Sequence, residues 1–222
     1  MPYRKTPIVQ DEVYHVFNRS VARQPIFNTI RNYQRFLELI NYYRYERPSL
    51  RYSHFNRLPP EQKEQFLTNL TKKDPMLTIL AFCIMPNHIH FLLKGKIANA
   101  ISTFMRNIQH SYSKYYNIKS NRIGSLFQDM FKAVRIETDE QLLHVSRYIH
   151  LNPVSSFIIK IKSLEEYPWS SFSEYTGRKS NLFVNTDLIL SHFKSSESYR
   201  QFVFDNASYQ QELEKIKHLL SE

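Results

Sequence analysis

The sequence predicts an α+β fold, an antiparallel sheet laid against helices, and three observations predict it. Short segments rich in β-branched and aromatic residues alternate with longer segments whose apolar residues recur at helical spacing. Their order is strand, helix, strand, strand, helix, strand, which is the split β-α-β arrangement of a ferredoxin-like sheet with two main helices. The middle two strands are separated only by Pro86-Asn87, a turn pair that calls for a hairpin.

Taken in order, Asp11-Glu-Val-Tyr-His-Val-Phe-Asn-Arg-Ser-Val21 reads as the first strand. Ile30, Tyr33, Leu37 and Ile40 keep a helical stripe to about residue 46, and Pro48 stops it. Residues 48–76 are polar and carry Pro59-Pro60 ahead of Glu-Gln-Lys-Glu-Gln-Phe-Leu, a short helix inserted at the periphery. Leu77 to Met85 and His88 to Lys94 form the hairpin. Ile97, Ile101, Phe104, Met105, Ile108, Tyr112 and Tyr115 then mark a long second helix. A basic loop with Arg122 and Gly124 leads to a strand near Phe131–Ile136. Thr138-Asp139-Glu140 opens a third helix that runs to about Asn152 and ends at Pro153. The expected organisation is a core over residues 1–155 with its insertion at 48–76, followed by an extension over 156–222. That extension carries Tyr167-Pro-Trp-Ser-Ser171 and a helical tail with Tyr209, Leu213, Ile216 and Leu220, and it is expected to pack on the core.

Composition narrows the function. With 222 residues, 42% of them hydrophobic, the chain can bury one good core. Thirty Lys and Arg against twenty Asp and Glu give a net charge of +10, which favours a polyanionic partner, nucleic acid before membrane. Cys83 stands alone in an apolar strand, so a disulfide framework and a cysteine zinc site are both excluded and a reducing, cytoplasmic setting is expected. No run of 18 apolar residues and no signal-like apolar core occurs, so membrane spanning and secretion are not expected. Three glycines are too few for a phosphate loop or a dinucleotide fingerprint, so ATP or NAD chemistry has no support.

Two constellations carry chemistry. In His88-Ile89-His90 the strand period of two puts both imidazoles on one face, able to hold one metal ion, in a strand otherwise apolar. On spacing alone, a pair of hydrogen-bonded structural histidines fits as well. In the third helix, His144, Tyr148 and Asn152 run at i, i+4 and i+8 beside the apolar stripe of Leu142, Val145 and Ile149. There Tyr148 could be an ordinary half-buried residue and Asn152 a helix terminator. With a cation on the histidines, the tyrosine could instead be a nucleophile and the amide a third ligand. Of the fifteen tyrosines, Tyr112 and Tyr115 belong to the apolar stripe of the second helix, and Tyr116 lies off it with no ligand one turn on. His144 could serve as a base or bind phosphate, with a solvated helix position as the plainer role. His15, His54, His110, His150, His192 and His218 show no second ligand at a useful spacing and are expected to be structural or exposed.

Five segments in order, Tyr14-His-Val-Phe-Asn-Arg19, Met85-Pro-Asn-His-Ile-His90, Gly124-Ser-Leu-Phe-Gln-Asp-Met-Phe-Lys132, Tyr148-Ile-His-Leu-Asn-Pro-Val154 and Tyr167-Pro-Trp-Ser-Ser171, together resemble the single-tyrosine transposases of the HUH type. Within these, the chain is most similar to the subgroup associated with repetitive extragenic palindromes. The resemblance implies metal ligands at His88 and His90, a third at Asn152, and a nucleophile at Tyr148. It implies a divalent metal, Mg²⁺ or Mn²⁺, and a reaction that cleaves and rejoins single-stranded, hairpin-associated DNA through a 5′-phosphotyrosine. It further implies a bacterial, nucleoid-associated protein with single-stranded or hairpin DNA as partner, and leaves a homodimer open. Arg19, Lys94, Arg122, Lys132 and Arg147 are the candidates for gripping phosphate. Met130 stands where relatives often carry arginine, and the 48–76 insertion is longer than usual, both of which bear on DNA specificity. Two other readings compete: a non-catalytic, regulatory DNA-binding protein of the same fold, and a metal-dependent phosphodiesterase that activates water and does not need Tyr148.

Overall fold

The computed structural model describes residues 7–46, 48–179 and 183–212. Four strands, β1 (Val13–Arg19), β2 (Leu77–Met85), β3 (His88–Gly95) and β4 (Lys132–Arg135), pair antiparallel throughout in the order β2-β3-β1-β4. With α1 (Ile30–Tyr43) between β1 and β2 and α4 (Ala100–Lys119) between β3 and β4, this is the ferredoxin-like order expected. β1 and β4 are shorter at their ends than their composition suggests, while β2 has the expected bounds and β3 runs one residue further. Asp11, with φ of 63°, turns the chain before β1, and past Arg19 the chain meets the β2–β3 turn, where Ser20 N–H donates to the Asn87 carbonyl and Ser20 bridges Phe127.

The sheet is covered on both faces, and strand alternation decides which residues go where. Ile89, Phe91 and Leu93 of β3, with Ile79, Phe82 and Ile84 of β2, pack under α1 and α4 in the larger apolar cluster. Leu92, Ala81, Cys83 and Met85 face the other way, into a second cluster with α5 (Asp139–Ser155) and the chain beyond it. A bulge between Ile79 and Ala81 shifts the phase of β2 so that both halves of the strand keep apolar residues on both faces. The two-sided cover explains why β2 is almost wholly apolar. It also fixes register, since a slip of one residue would drive His88 and His90 into the α1/α4 core.

Two helix boundaries differ from expectation. α1 ends at Tyr43, because Tyr45 leaves the helix to bridge Pro75. α5 runs through Pro153 to Ser155. Its end is set by Phe157, whose φ of 56° lets Ile158 and Ile159 donate back to the Pro153 carbonyl. Helical bonding continues past the proline, with Ser156 donating to the Asn152 carbonyl at 3.0 Å, so Pro153 costs the last turn its own missing N–H without ending it.

The 48–76 region holds α2 (Tyr52–Phe55) and α3 (Pro60–Thr71). Most of α3 is exposed, while Tyr52 and Phe55 are buried and join Tyr42 and Phe66 in an aromatic group at ring spacings of 5.0 to 6.0 Å.

After α5 come a 3₁₀ segment (Ile161–Glu166), α6 (Phe172–Tyr175), α7 (Asp187–Leu190) and α8 (Ser196–Phe204). Residues 167–171 run beside β2: Ile84 donates to the Trp169 carbonyl, Ser171 donates to Phe82, and Tyr167 Oη donates to the Ile84 carbonyl. The outer edge of the sheet is thereby paired rather than left open to another chain. Residues 207–212 are helical, with Tyr209 exposed; Leu213, Ile216 and Leu220 lie outside the described residues.

Candidate active site

His88 and His90 share the α5 side of β3, where antiparallel pairing sets Arg19 opposite His88 and Phe17 opposite His90. The two rings are 5.0 Å apart, centre to centre, and nearly perpendicular. α5 crosses this face and presents Tyr148, whose ring stands edge-on at 5.7 Å from His90 and 5.9 Å from His15. One turn later Asn152, almost fully buried, donates its amide Nδ2 to the Tyr148 carbonyl at 2.9 Å. With its nitrogen committed, Oδ1 is the atom of Asn152 suited to a cation.

The hydrogen bond to Asn87 sets the tautomer of His88, and the one to His15 bears on that of His90. Asn87 donates Nδ2 to the Arg23 carbonyl at 2.8 Å, which leaves Asn87 Oδ1 to accept from His88 Nδ1 at 2.6 Å. A neutral His88 therefore carries its lone pair on Nε2. The Arg23 carbonyl is delivered by a loop in which Ala22 and Arg23 both adopt left-handed φ of 54°. His90 Nδ1 lies 3.0 Å from His15 Nε2. Burial pushes the His15 pKa down to about 4, so at neutral pH that ring is uncharged and can accept from His90 Nδ1–H. In the arrangement where His15 accepts, His90 also presents Nε2.

Among the described residues, no group of three or more His, Cys, Asp and Glu is placed to hold a metal ion. The candidate donors are instead two imidazoles and one amide oxygen, a mixed nitrogen and oxygen set that suits a divalent cation such as Mn²⁺ or Mg²⁺. The residues fit the group. His15 and Asn87, which support the pair, were not singled out from the sequence: one was set aside as structural and the other read as a turn residue. Alternation puts His15 on the same side of β1 as Phe17, but only the β1–β3 register, invisible in sequence, puts it against His90. Gln210, beyond α8, also reaches this helix and donates to the Tyr148 carbonyl at 3.3 Å.

The cation candidates separate by position. Arg19 and Lys132 border the histidine face, with Lys132 Nζ 6.0 Å over the Phe17 ring. Lys94 shares that face but lies six residues along β3 from His88, opposite Val13. Arg122 bonds Asn117 Oδ1 and the Ser125 carbonyl in the loop after α4. Arg147 lies 4.2 Å over the Phe202 ring, beside His144 Nδ1 at 2.6 Å, and so packs on α8. His144 is half-exposed and also approaches Glu140 at 3.6 Å. The competing tyrosines are on the opposite side of the sheet: Tyr112, Tyr115 and Tyr116 donate to the Ile26 carbonyl, Asn32 Oδ1 and the Pro25 carbonyl. Tyr116, expected off the apolar stripe, is buried. His150 is a core residue, its nitrogens 2.8 Å from Tyr199 Oη and Ser171 Oγ.

The fold thus sets a histidine pair on a central strand of a ferredoxin-like sheet against a helix that carries a tyrosine and an amide one turn apart. Residues 36–152, more than half of the chain, match the family described as IS200-like transposases, and the chain belongs to that family. Among solved structures, it is similar to a REP-associated tyrosine transposase bound to a REP hairpin, with a TM-score of 0.52 and 15% identity over 83% of this chain and 97% of that one. That likeness extends the agreement in fold beyond the family match. No curated protein matches the chain. Among the described residues, no helix is long and apolar enough to cross a membrane.

Proposed function

We propose that the protein cleaves and rejoins single-stranded, hairpin-associated DNA through a covalent bond between Tyr148 and a 5′ phosphate, with a divalent cation held by His88, His90 and Asn152. The observation that carries this reading is the placement of the Tyr148 ring against His90 on a helix whose next turn brings Asn152 to the same face. The REP-hairpin complex of the similar transposase supports hairpin DNA of the palindromic class as the substrate form.

When bound, the cation would draw negative charge from the scissile phosphate and favour in-line attack. The Tyr148 oxygen attacks phosphorus as its proton departs, since a phenol ordinarily holds that proton at neutral pH. The bond from phosphorus to the 3′ oxygen breaks, and that oxygen leaves as a 3′ hydroxyl. An incoming 3′ hydroxyl reverses the exchange and restores the tyrosine, so joining needs no nucleotide energy source. Arg19 and Lys132, at the border of the histidine face, hold the strand by its phosphates. The hydrogen bond from Asn152 to the Tyr148 carbonyl ties nucleophile and ligand to one rigid turn, which limits the misplacement that would slow the reaction.

The test is a denaturing gel of the protein with labelled hairpin DNA and Mn²⁺. The wild type forms a covalent species joined to the 5′ side of the cut, and Tyr148→Phe, which folds and binds DNA, forms none. Cleavage by Tyr148→Phe with a 5′ phosphate as product would make water the nucleophile. Binding by the wild type with no cleavage in either Mg²⁺ or Mn²⁺ would leave the regulatory role.

A further inference from the structure

A second basic site lies across the sheet from Tyr148. The outer surfaces of α1 and α4 and the segment 48–56 enclose an open groove of about 1040 Å³. Among the described residues, six cationic side chains line it, Arg31, Arg35, Arg51, Arg106, Lys114 and Lys119, and no carboxylate does. Glu38 lies nearby, where it pairs with Arg35 at 3.6 Å and accepts from Tyr52 Oη at 2.7 Å, and this offsets one of the six charges. α1 and α4 pack against the face of the sheet that carries Ile89, Phe91 and Leu93, so the groove opens away from the histidines.

The lining indicates the chemistry of the occupant. From Thr103 to Ile118 the groove follows α4 for 15 residues, a rise of about 22 Å at 1.5 Å per residue. That length matches about six base-pair steps of 3.4 Å, far more than a nucleotide needs. Short polar side chains such as Ser49, Ser53, Asn56 and Asn107 sit between the cations, a mixture suited to phosphate oxygens. The three tyrosines present are already engaged. Arg35 lies 5.0 Å from the centres of both Tyr52 and Tyr115, and Tyr43 Oη accepts from the Tyr52 backbone N–H and from Ser111 Oγ. Single-strand sites rely on open aromatic faces on which bases stack. A groove with many phosphate-binding groups, whose tyrosines are engaged and whose one other ring is the small imidazole of His110, suits a duplex better than a stacked single strand.

We propose that this groove binds the backbone of double-stranded DNA, the paired stem of the hairpin whose unpaired stretch is cut at Tyr148. The proposal rests on the reading of the protein as a hairpin-processing enzyme. It adds that stem and cut strand are held on opposite faces of the sheet, the stem by the 48–56 segment with α1 and α4. The insertion thus contributes to substrate choice.

The test uses two fluorescein-labelled DNAs, a hairpin with an unpaired flank and the same flank without its stem, with the double variant Arg106→Glu/Lys114→Glu. Both positions are exposed, and thermal melting confirms the fold. Anisotropy is expected to show at least a tenfold loss of affinity for the hairpin with little change for the flank, while the adduct still forms on the flank. Arg51→Glu, in a different segment, is expected to reduce hairpin affinity in the same selective way. Unchanged hairpin binding in both variants would overturn the proposal, and so would an equal loss for hairpin and flank. Adduct formation by the wild type reads the Tyr148 chemistry separately: an adduct with no stem-dependent loss removes the groove and keeps the proposed function. Stem-dependent loss with no adduct removes the chemistry and keeps the groove.

Discussion

His15 and His90 face each other across the β1–β3 ladder with Nε2 and Nδ1 3.0 Å apart, and burial keeps His15 neutral well below physiological pH. On the neighbouring residue of the pair, Asn87 makes the corresponding contact to His88 Nδ1 at 2.6 Å. The Asn87 contact fixes the His88 tautomer that presents Nε2, the His15 contact is compatible with the same tautomer of His90, and the two come from different parts of the chain, a turn and a strand. Partners of this kind orient ligands that would otherwise rotate about two side-chain bonds.

His15→Phe and Asn87→Ala are therefore expected to weaken Mn²⁺ binding by about 10- to 100-fold, read by calorimetry without DNA, while leaving Tyr148 in place. His15→Phe keeps the ring volume, so melting temperature should shift little. Wild-type affinity for Mn²⁺ in both variants would mean that the ring orientations are fixed by packing alone.

The sheet order was legible because its signals are local: alternation in β3, the two-residue turn at Pro86-Asn87, and helical stripes in α1 and α4. The His88/His90 face followed from period two, and the grouping of Tyr148 with Asn152 from period four. What could not be read is set by distance in sequence. His15 and His90 are 75 residues apart, and only the register of β1 on β3 joins them. Pro153 was over-read as a helix stop because the rule is local while the last turn of α5 is held by Phe157 beyond it. The basic groove escaped notice because its residues come from three segments, none with an excess of charge that stands out alone.

His88→Ala is expected to abolish the covalent adduct and to lower Mn²⁺ affinity together, since one donor of three is lost. Excess metal should restore activity only in part, because the remaining donors no longer fix the cation beside Tyr148. This separates His88 from Tyr148→Phe, which should lose the adduct with metal affinity intact. A His88→Ala protein that forms adduct at the wild-type rate would remove the cation site from the mechanism.

Hairpin binding should weaken steeply with salt. Phosphate contacts release condensed counterions, and about six contacts correspond to roughly a thousandfold loss between 50 and 200 mM salt. Lys132→Ala, at the border of the histidine face, should lower the slope for the unpaired flank by about one contact. A slope near zero would show that contacts to bases, not phosphates, dominate the complex.

Acid should destabilise the fold through His150. This ring is completely buried among Tyr199, Ser171, Phe172 and Tyr175, its two nitrogens each 2.8 Å from a hydroxyl, and burial pushes its pKa down from an ordinary 6.5 to about 3. Between those values the unfolded chain binds a proton that the folded chain does not, so the stability is whole above about pH 6.5 and declines as pH falls toward 3. One such site contributes at most about 1.4 kcal/mol per pH unit. His15, depressed for the same reason, acts in the same sense. His150→Gln removes the titrating group and keeps a hydrogen-bonding side chain of similar size. It should cost about 1–3 kcal/mol at pH 7, because one hydroxyl loses its partner. Its melting temperature should then fall less between pH 7 and pH 4 than that of the wild type. Parallel pH profiles for the two proteins would show that the acid response arises elsewhere in the molecule.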